Sequence, residues 1–507
     1  MAPPRSVLGL TAALVAGAIE FTAVAADQPQ WGQAWSRNMI SHERGLPEVF
    51  DPRTGQNIKW RTTPGTETHA TPVVAGGRVY LGTNNNRPRD ARHSGDRGVL
   101  MCFDESTGEF LWQLVVPKLT NSIYWDWPHA GICSPPSVEG ERVYLVSNRG
   151  EVLCLDARGM TNGNDGPSQE EAAHCVPAGA SPMAPGPHSA DILWRFDMIQ
   201  EFQVRQHDSA HASVLIHGDF LYVNTANGVD DTHKEIHSPD APSLIVLDKA
   251  SGRLVARDGE HIGPRIFHST WSSPALGQVD GEPRVFFCGG DGVVYGFVPV
   301  TTAPPPGQVL TLRKVWQFDF DPDAPKEAVH RFNGNRDISP SNMHGMPVFH
   351  DGRLYVAGGG DLWWGKRQAW LKCLQTTGTG DVTKTALVWS YALAKHVMAT
   401  PALGNGLVFL GDCGRRIHCV DAATGQAVWT HDAGGEIWAS PLLADGKVYF
   451  ATRRGQALVF AADREKKLLH QVALGDPVSA TPVAANGTIY FATMRNLFAV
   501  AAGASAP

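Results

Sequence analysis

The chain has 507 residues, 43% hydrophobic and 18% charged, an ordinary globular composition that can support a large core. Its 43 Lys and Arg stand against 50 Asp and Glu, a net charge of −7, with no long run of either sign. That excludes the electrostatic footprint of a nucleic-acid-binding protein, which needs a concentrated basic face.

Residues 1–25 read as a cleavable export signal. Arg5 supplies the positive start, Val7 to Ile19 the apolar stretch, and Ala23-Val24-Ala25 the small-x-small cleavage pattern, so the cut is expected near Ala25. The apolar stretch is too short to span roughly 30 Å of hydrocarbon. No cysteine follows the cut, which argues against a lipid anchor, and no later segment has 18 uninterrupted apolar residues. The expectation is a soluble, monomeric, periplasmic or secreted protein. An oxidising compartment permits disulfides, and Cys154 with Cys175 is the one pairing expected. No CxxC, CxxCH or adjacent Cys-Cys occurs, so c-type haem and zinc ribbons find no motif.

Residues 26–46 form an N-terminal segment, and a single domain is expected over 47–507, with an insertion at about 158–190. One unit recurs through that domain. It opens on Ser or Thr before Pro and an apolar pair. It continues through a Gly turn into strands such as Arg78 to Thr83, and ends on Asp, Thr-Gly and a strand carrying Trp. The openings are Thr71-Pro72, Ser134-Pro135, a degenerate Ser213-Val214, Ser273-Pro274, Met346-Pro347, Thr400-Pro401, Ser440-Pro441 and Thr481-Pro482. The last units are about 40 residues apart, the length of a bare four-stranded blade; the earlier ones carry insertions. The spacing predicts an all-β, eight-bladed β-propeller. Trp112, Trp194, Trp316, Trp389 and Trp429 fall on outer strands and are expected to pack between blades. Blade 3 has Ala256 in that place and is expected to be locally weaker. The last unit has only three strands, over 480–500. Phe50-Asp51-Pro52-Arg53-Thr54-Gly55 with Trp60 is an orphan fourth-strand signature, so the N-terminal strand should complete the last blade and remove the open edge.

The Asp-x-x-Thr-Gly-x-x-x-Trp strings, Asp104 to Trp112 and Asp421 to Trp429, resemble the repeat of the pyrroloquinoline-quinone (PQQ) propeller superfamily. That group includes quinoprotein alcohol dehydrogenases and the outer-membrane β-barrel assembly lipoprotein. The resemblance covers residues 47–500 and implies the fold, with PQQ as a possible cofactor. The dehydrogenases carry an adjacent-cysteine disulfide over the quinone, a calcium site and a base Asp. This chain lacks the Cys-Cys pair and offers no matching motif for the Asp, so no family catalytic residue is carried over.

Antiparallel meanders send alternate loops to opposite faces of the disc. By that rule Asn84–Arg97, Val115–Gly131, Asp197–Ala210, Ala226–Ala241, Asp319–Met343 and Gly358–Ala369 share one face, over blades 1 to 5, whereas the Arg158–Ala190 insertion belongs to the other. Function concentrates on loops held by a rigid scaffold, so a lopsided funnel is predicted there. Three residues before each repeat Pro stand His69, Ile132, His211, Trp271, His344, Met398, Trp438 and Ser479, all expected to face the channel. His69, His211 and His344 converging could hold a divalent metal of the Zn²⁺, Cu²⁺ or Mn²⁺ type. They could equally serve as acid, base or hydrogen-bond groups, or line a wet polar channel. Trp125, Trp127, His129, His207, Asp208 and His268 lie in the same joining segments, with Asp126, Arg205, Arg331 and His396. Asp156 to Gly166 alternates oxygen side chains with Gly but fails the EF-hand spacing, and reads as an Asn/Asp/Gly turn cluster. Three functions stay open. One is a scaffold that binds a small molecule, glycan or protein through the funnel face. The others are a PQQ-dependent oxidoreductase, and a metal-assisted polysaccharide lyase or hydrolase.

Overall fold

A computed structural model describes residues 26–505. The export signal expected over 1–25 lies outside the described residues. No helix among them is long and apolar enough to cross a membrane.

Eight four-stranded antiparallel sheets follow one another around a ring. Blade 1 is Val73–Ala75, Arg78–Asn84, Arg97–Asp104 and Phe110–Pro117. Blades 2 to 7 begin at Ser137, Leu215, Ala275, Val348, Ala402 and Leu442. The middle strands are buried on both faces, because successive side chains enter different inter-blade cores. Tyr80, Leu100 and Cys102 pack against blade 2; Val79, Leu81, Val99, Met101 and Phe103 pack against blade 8. That double burial is why these strands read as continuous apolar runs.

Blade 8 closes the ring as expected. Val483–Ala485, Thr488–Ala492 and Leu497–Ser505 are completed by Gln56–Thr62, with Ile58 opposite Val500 and Trp60 opposite Ala499. The extra residue before Trp60 is absorbed by a bulge at Asn57, whose φ is 56°.

The repeat residues are inter-blade fasteners. The repeat hydroxyls accept backbone N–H groups of adjacent blades: Thr71 Oγ1 from Thr481, Ser273 Oγ from Ser213, Thr400 Oγ1 from Met346 and Ser440 Oγ from Thr400. Five of the outer Trp lie on the turn of the next blade, whereas Trp316 Nε1 is buried without a hydrogen-bond partner. The Nε1 atoms of Trp60, Trp112, Trp194, Trp389 and Trp429 donate to the carbonyls of Glu105, Ala157, Lys249, Ala422 and Asp463. The Gly of Thr-Gly is needed there twice over. Gly425 has a φ of 73°, and a Cβ on it would stand 2.6 Å from the Trp389 ring.

Two expectations are corrected, on the insertion and on the cysteines. Where blade 3 has Ala256 in place of the outer Trp, Leu310–Thr311 pairs parallel with its outer strand, Ala256 opposite Leu310, and Leu312 joins the core there. This is one case of a pattern in which a long loop between third and fourth strands lays a parallel edge on the preceding blade. Gly380–Asp381 does so beside Trp316, and Ser189 beside Gln113. The 158–190 insertion is therefore not confined to the opposite face. It runs along the outer edge of blade 1 and reaches the 84–97 loop, where Arg92 Nη1 donates to the Ala184 carbonyl at 3.2 Å. Finally, all eight cysteines are free. Strand alternation turns Cys154 into the core shared with blade 3, whereas its neighbours Leu153 and Leu155 face blade 1, the side on which the insertion lies.

The N-terminal segment has a role its sequence did not announce. Residues 28–41 cross one end of the channel and bond to all eight blades. The Gln28, Pro29, Trp35, Ser36 and Met39 carbonyls accept the backbone N–H groups of Val74, Val138, Leu276, Phe349 and Leu443. Asn38 Oδ1 accepts from Leu403 N, and Ser41 Oγ donates to the Ala484 carbonyl. Arg37, fully buried, donates to Pro274 O, Ser213 O, Ser213 Oγ and Trp31 O. The channel is closed at that end.

Candidate functional site

Closing one end leaves a blind cavity of about 510 Å³ within the ring. Trp31, Thr71 and Pro135 are among its lining residues, and loop residues Tyr124, Trp127, Asp208, His233, Trp363 and Trp364 join them. Seven of the eight residues that stand three before the repeat Pro line it: His69, His211, Trp271, His344, Met398, Trp438 and Ser479. Ile132 does not. It is drawn into the core between blades 1 and 2, and Cys133 lines the cavity instead.

The walls are aromatic. Trp271 has ring centroids 4.7 Å from His211, 5.1 Å from His344 and 5.8 Å from Trp363, and Trp363 stands 6.1 Å from Trp438. Charges are sparse. His69 Nε2 is 3.0 Å from Glu67 Oε1. Arg453 lies 4.6 Å over Trp438 and donates to Ser479 Oγ at 2.6 Å. Burial pushes Asp208 up to about 6 and His211 down to about 3.

His69, His211 and His344 share the cavity but do not form the tight imidazole cluster. That cluster is His207, His233 and His268, whose ligating atoms all lie within 4.8 Å of one another. His207 Nδ1 donates to the Val229 carbonyl at 2.9 Å, and its Nε2 meets His233 Nε2 at 3.0 Å. His268 Nδ1 is 3.0 Å from Asp361 Oδ2. Asp361 is held in turn by the Trp363 and Trp364 backbone N–H groups on Oδ1, both at 2.9 Å. His344 Nε2 is 3.3 Å from the same Asp361 oxygen but without hydrogen-bonding geometry. Burial, with the neighbouring imidazoles, pushes His207 down to about 3 and His233 down as well. At His268 burial opposes the cation, but Asp361 outweighs it and raises the value. Asp361 resists its own burial through the same pair and is held well below the carboxylate range.

The other sequence candidates stand apart. Trp125 carries the Arg205 guanidinium 4.5 Å over its ring and is not in the cavity lining. His129 is largely exposed, 3.8 Å from Asp96. Asp126 is buried against Lys118 and Asn148 and fastens the loop. His396 donates to the Lys366 carbonyl at 2.9 Å. Sequence reasoning missed Glu67, Tyr124, His233, Asp361, Trp363, Trp364 and Arg453. His233 and the string Gly360-Asp361-Leu362-Trp363-Trp364 lie in loops already assigned to this face, and two adjacent Trp in a loop were the available signal.

A ring of eight PQQ-like blades with its site in a central cavity defines the class. Residues 43–295 and 375–504 match the family model described as outer membrane protein assembly factor BamB, and the chain belongs to that family. No curated protein sequence matches it. Among solved structures, BamB from Moraxella catarrhalis is 12% identical with a TM-score of 0.49, over 88% of this chain and 98% of that one. The quinohemoprotein alcohol dehydrogenase from Comamonas testosteroni is 15% identical with a TM-score of 0.45, over 96% and 83%. The computationally designed Ika8 protein is 12% identical with a TM-score of 0.48, over 91% and 99%.

Proposed function

We propose that this chain is an exported scaffold that binds a small, uncharged, ring-bearing ligand, of which a glycan end is the best fit, in the central cavity beneath the loops of blades 1 to 5. The observation that carries this reading is the blind aromatic cavity. Trp271, Trp363 and Trp438 offer planes for stacking on a sugar ring, and the imidazoles and carboxylates around them offer hydrogen-bond groups. A closed floor favours a small ligand over a threaded protein segment. The signal at Arg5, Val7–Ile19 and Ala23–Ala25 supports export.

PQQ is a planar tricarboxylate, and the lining fits it poorly. Planes to stack on are present. Arg453 is the one guanidinium lining the cavity among the described residues, already stacked on Trp438, and it is set against the carboxylates of Glu67 and Asp208. An absorption spectrum of the purified protein tests that judgement; a bound quinone chromophore would return the oxidoreductase reading. The glycan reading is tested by titrating the tryptophan fluorescence of the purified chain with neutral oligosaccharides. A saturable change is expected, weakened at least tenfold in Trp271→Ala. A parent protein that responds to none of them refutes it.

A further inference from the structure

We propose that His207, His233 and His268 form a binding site for a divalent transition-metal ion of the Zn²⁺, Cu²⁺ or Co²⁺ class, set in the wall of the funnel. The three imidazoles come from separate places. His207 precedes blade 3, His233 sits in the loop between that blade's second and third strands, and His268 precedes blade 4. All three are buried.

Their protons are arranged for a metal. His207 Nδ1 donates to the Val229 carbonyl, which leaves Nε2 bare and aimed at the cluster. His268 presents Nδ1 to Asp361, and its Nε2 is buried with no hydrogen-bond partner. An orphaned polar atom in a buried site is costly and calls for an occupant. A carboxylate or carbonyl behind a ring's other nitrogen is the usual support of a metal-bound imidazole, fixing its tautomer and orientation. Without an ion, a single proton shared between His207 Nε2 and His233 Nε2 satisfies that pair but leaves His268 Nε2 unserved. With one, all three nitrogens are used.

The dimensions allow it. Nitrogens bound at 2.0–2.1 Å to a tetrahedral ion stand roughly 3.4 Å apart. His207 and His233 already meet at 3.0 Å, and the whole set lies within 4.8 Å. His233 is held at a φ of 58°, its ring 4.4 Å from Trp364 and its carbonyl bonded by Asn333 Nδ2. A strained, pinned residue facing a cluster is a mark of function. Three protein nitrogens leave a fourth position open. Asp208 Oδ1 is 3.7 Å from His207 Nε2, and Asp208 and His233 both line the cavity, so that position faces the funnel. All-nitrogen ligation selects against Ca²⁺ and Mg²⁺, which take oxygen ligands.

The test uses the untagged full chain, stripped with chelator and titrated with Co²⁺, read by visible d–d absorption and by metal analysis. One Co²⁺ per chain with a four- or five-coordinate spectrum is expected, displaced by Zn²⁺ and not by Ca²⁺. His233→Ala should weaken binding at least 100-fold, and Asp361→Asn by 10- to 100-fold through loss of ring support. His350→Ala, remote from the cluster, should bind as the parent does. Circular dichroism checks that each variant is folded, and His233→Ala carries the test if the more buried His207→Ala or His268→Ala does not fold. Absence of stoichiometric Co²⁺, or undiminished binding in folded His233→Ala, overturns the site. So does loss of binding in Asp165→Asn alone, which would assign the ion to the Asp156, Asp165 and Asp191 carboxylates. None of these outcomes bears on the oligosaccharide titration, so the two readings fail separately.

Discussion

Arg37 offers the sharpest test of the closed channel. Its guanidinium is fully buried against the inner ends of blades 3 and 4, and burial pushes it down to about 9. Among the described residues no carboxylate pairs with it; it is held by three carbonyls and one hydroxyl. Arg37→Ala orphans these four acceptors at ~1–3 kcal/mol each, a total of about 8 kcal/mol. Against that, removing the charge relieves the desolvation expressed in its lowered value, about 5 kcal/mol at 1.36 kcal/mol per unit. The net loss is about 3 kcal/mol. Unfolding entropy near 2.1 cal/mol/K per residue makes this a drop of about 3 °C in Tm for a domain of this size. Arg37→Lys keeps a buried charge and loses the fork that reaches several carbonyls at once, so it should be at least as damaging. Differential scanning fluorimetry gives the Tm, and limited proteolysis reports release of residues 28–41. A Tm within about 1 °C of the parent for both variants, with the segment still protected, would refute the reasoning.

Other consequences are separable. Glu151 is buried, which by itself would raise it, but His174 with Arg149 and Arg195 holds it at about 2. Its folded value lies below its unfolded one, so it contributes roughly 3 kcal/mol that is present above about pH 4.5 and lost as pH falls toward 2. The Tm gap between the parent and Glu151→Gln should therefore be widest near neutrality and close in acid; a gap constant with pH contradicts this. Gly425→Ala puts a Cβ against Trp389 at a left-handed position and should cost ~2–3 kcal/mol, read as a lower denaturant midpoint at unchanged slope. Asp208, raised to about 6, gains its charge as pH rises through that value. Oligosaccharide affinity should change between pH 5 and 7 in the parent and stay flat in Asp208→Asn.

The fold was legible because its rules are local and repeated. Thr71-Pro72 or Asp104 to Trp112 states a contact that recurs in most blades, so one copy explains the others. Even the missing strand was readable, since the orphan signature of Asp51 to Trp60 matched a last unit with only three strands. The cavity wall was legible for the same reason: a fixed offset from the repeat Pro picked His69, His211, Trp271, His344 and Trp438. What was not legible depends on loops crossing between blades. His233 reaches His207 and His268 only because its loop folds back across its own blade, and Asp361 serves His268 from 93 residues away. No offset encodes either. Trp125 and His129 show the converse error, since lying beside Trp127 in sequence does not make a residue face the same way.

The division of labour between segments explains why the chemistry gathers where it does. An eight-bladed ring has a channel open at both ends, and an open channel holds a small ligand poorly. Residues 28–41 close one end by bonding to every blade, and in doing so give up that face as a site. The opposite face is then the way in, and there the 115–131, 197–210, 226–241 and 358–369 loops overhang the cavity with Tyr124, Asp208, His233 and Trp363. Blades 6 to 8 contribute only Met398, Trp438 and Ser479 at their inner ends and Arg453 from a short loop of blade 7. Loosening the 28–41 segment should therefore weaken oligosaccharide binding although no residue of the overhanging loops has changed. Arg37→Ala, measured in the fluorescence titration below its Tm, distinguishes a cavity that depends on its floor from one made by the loops alone.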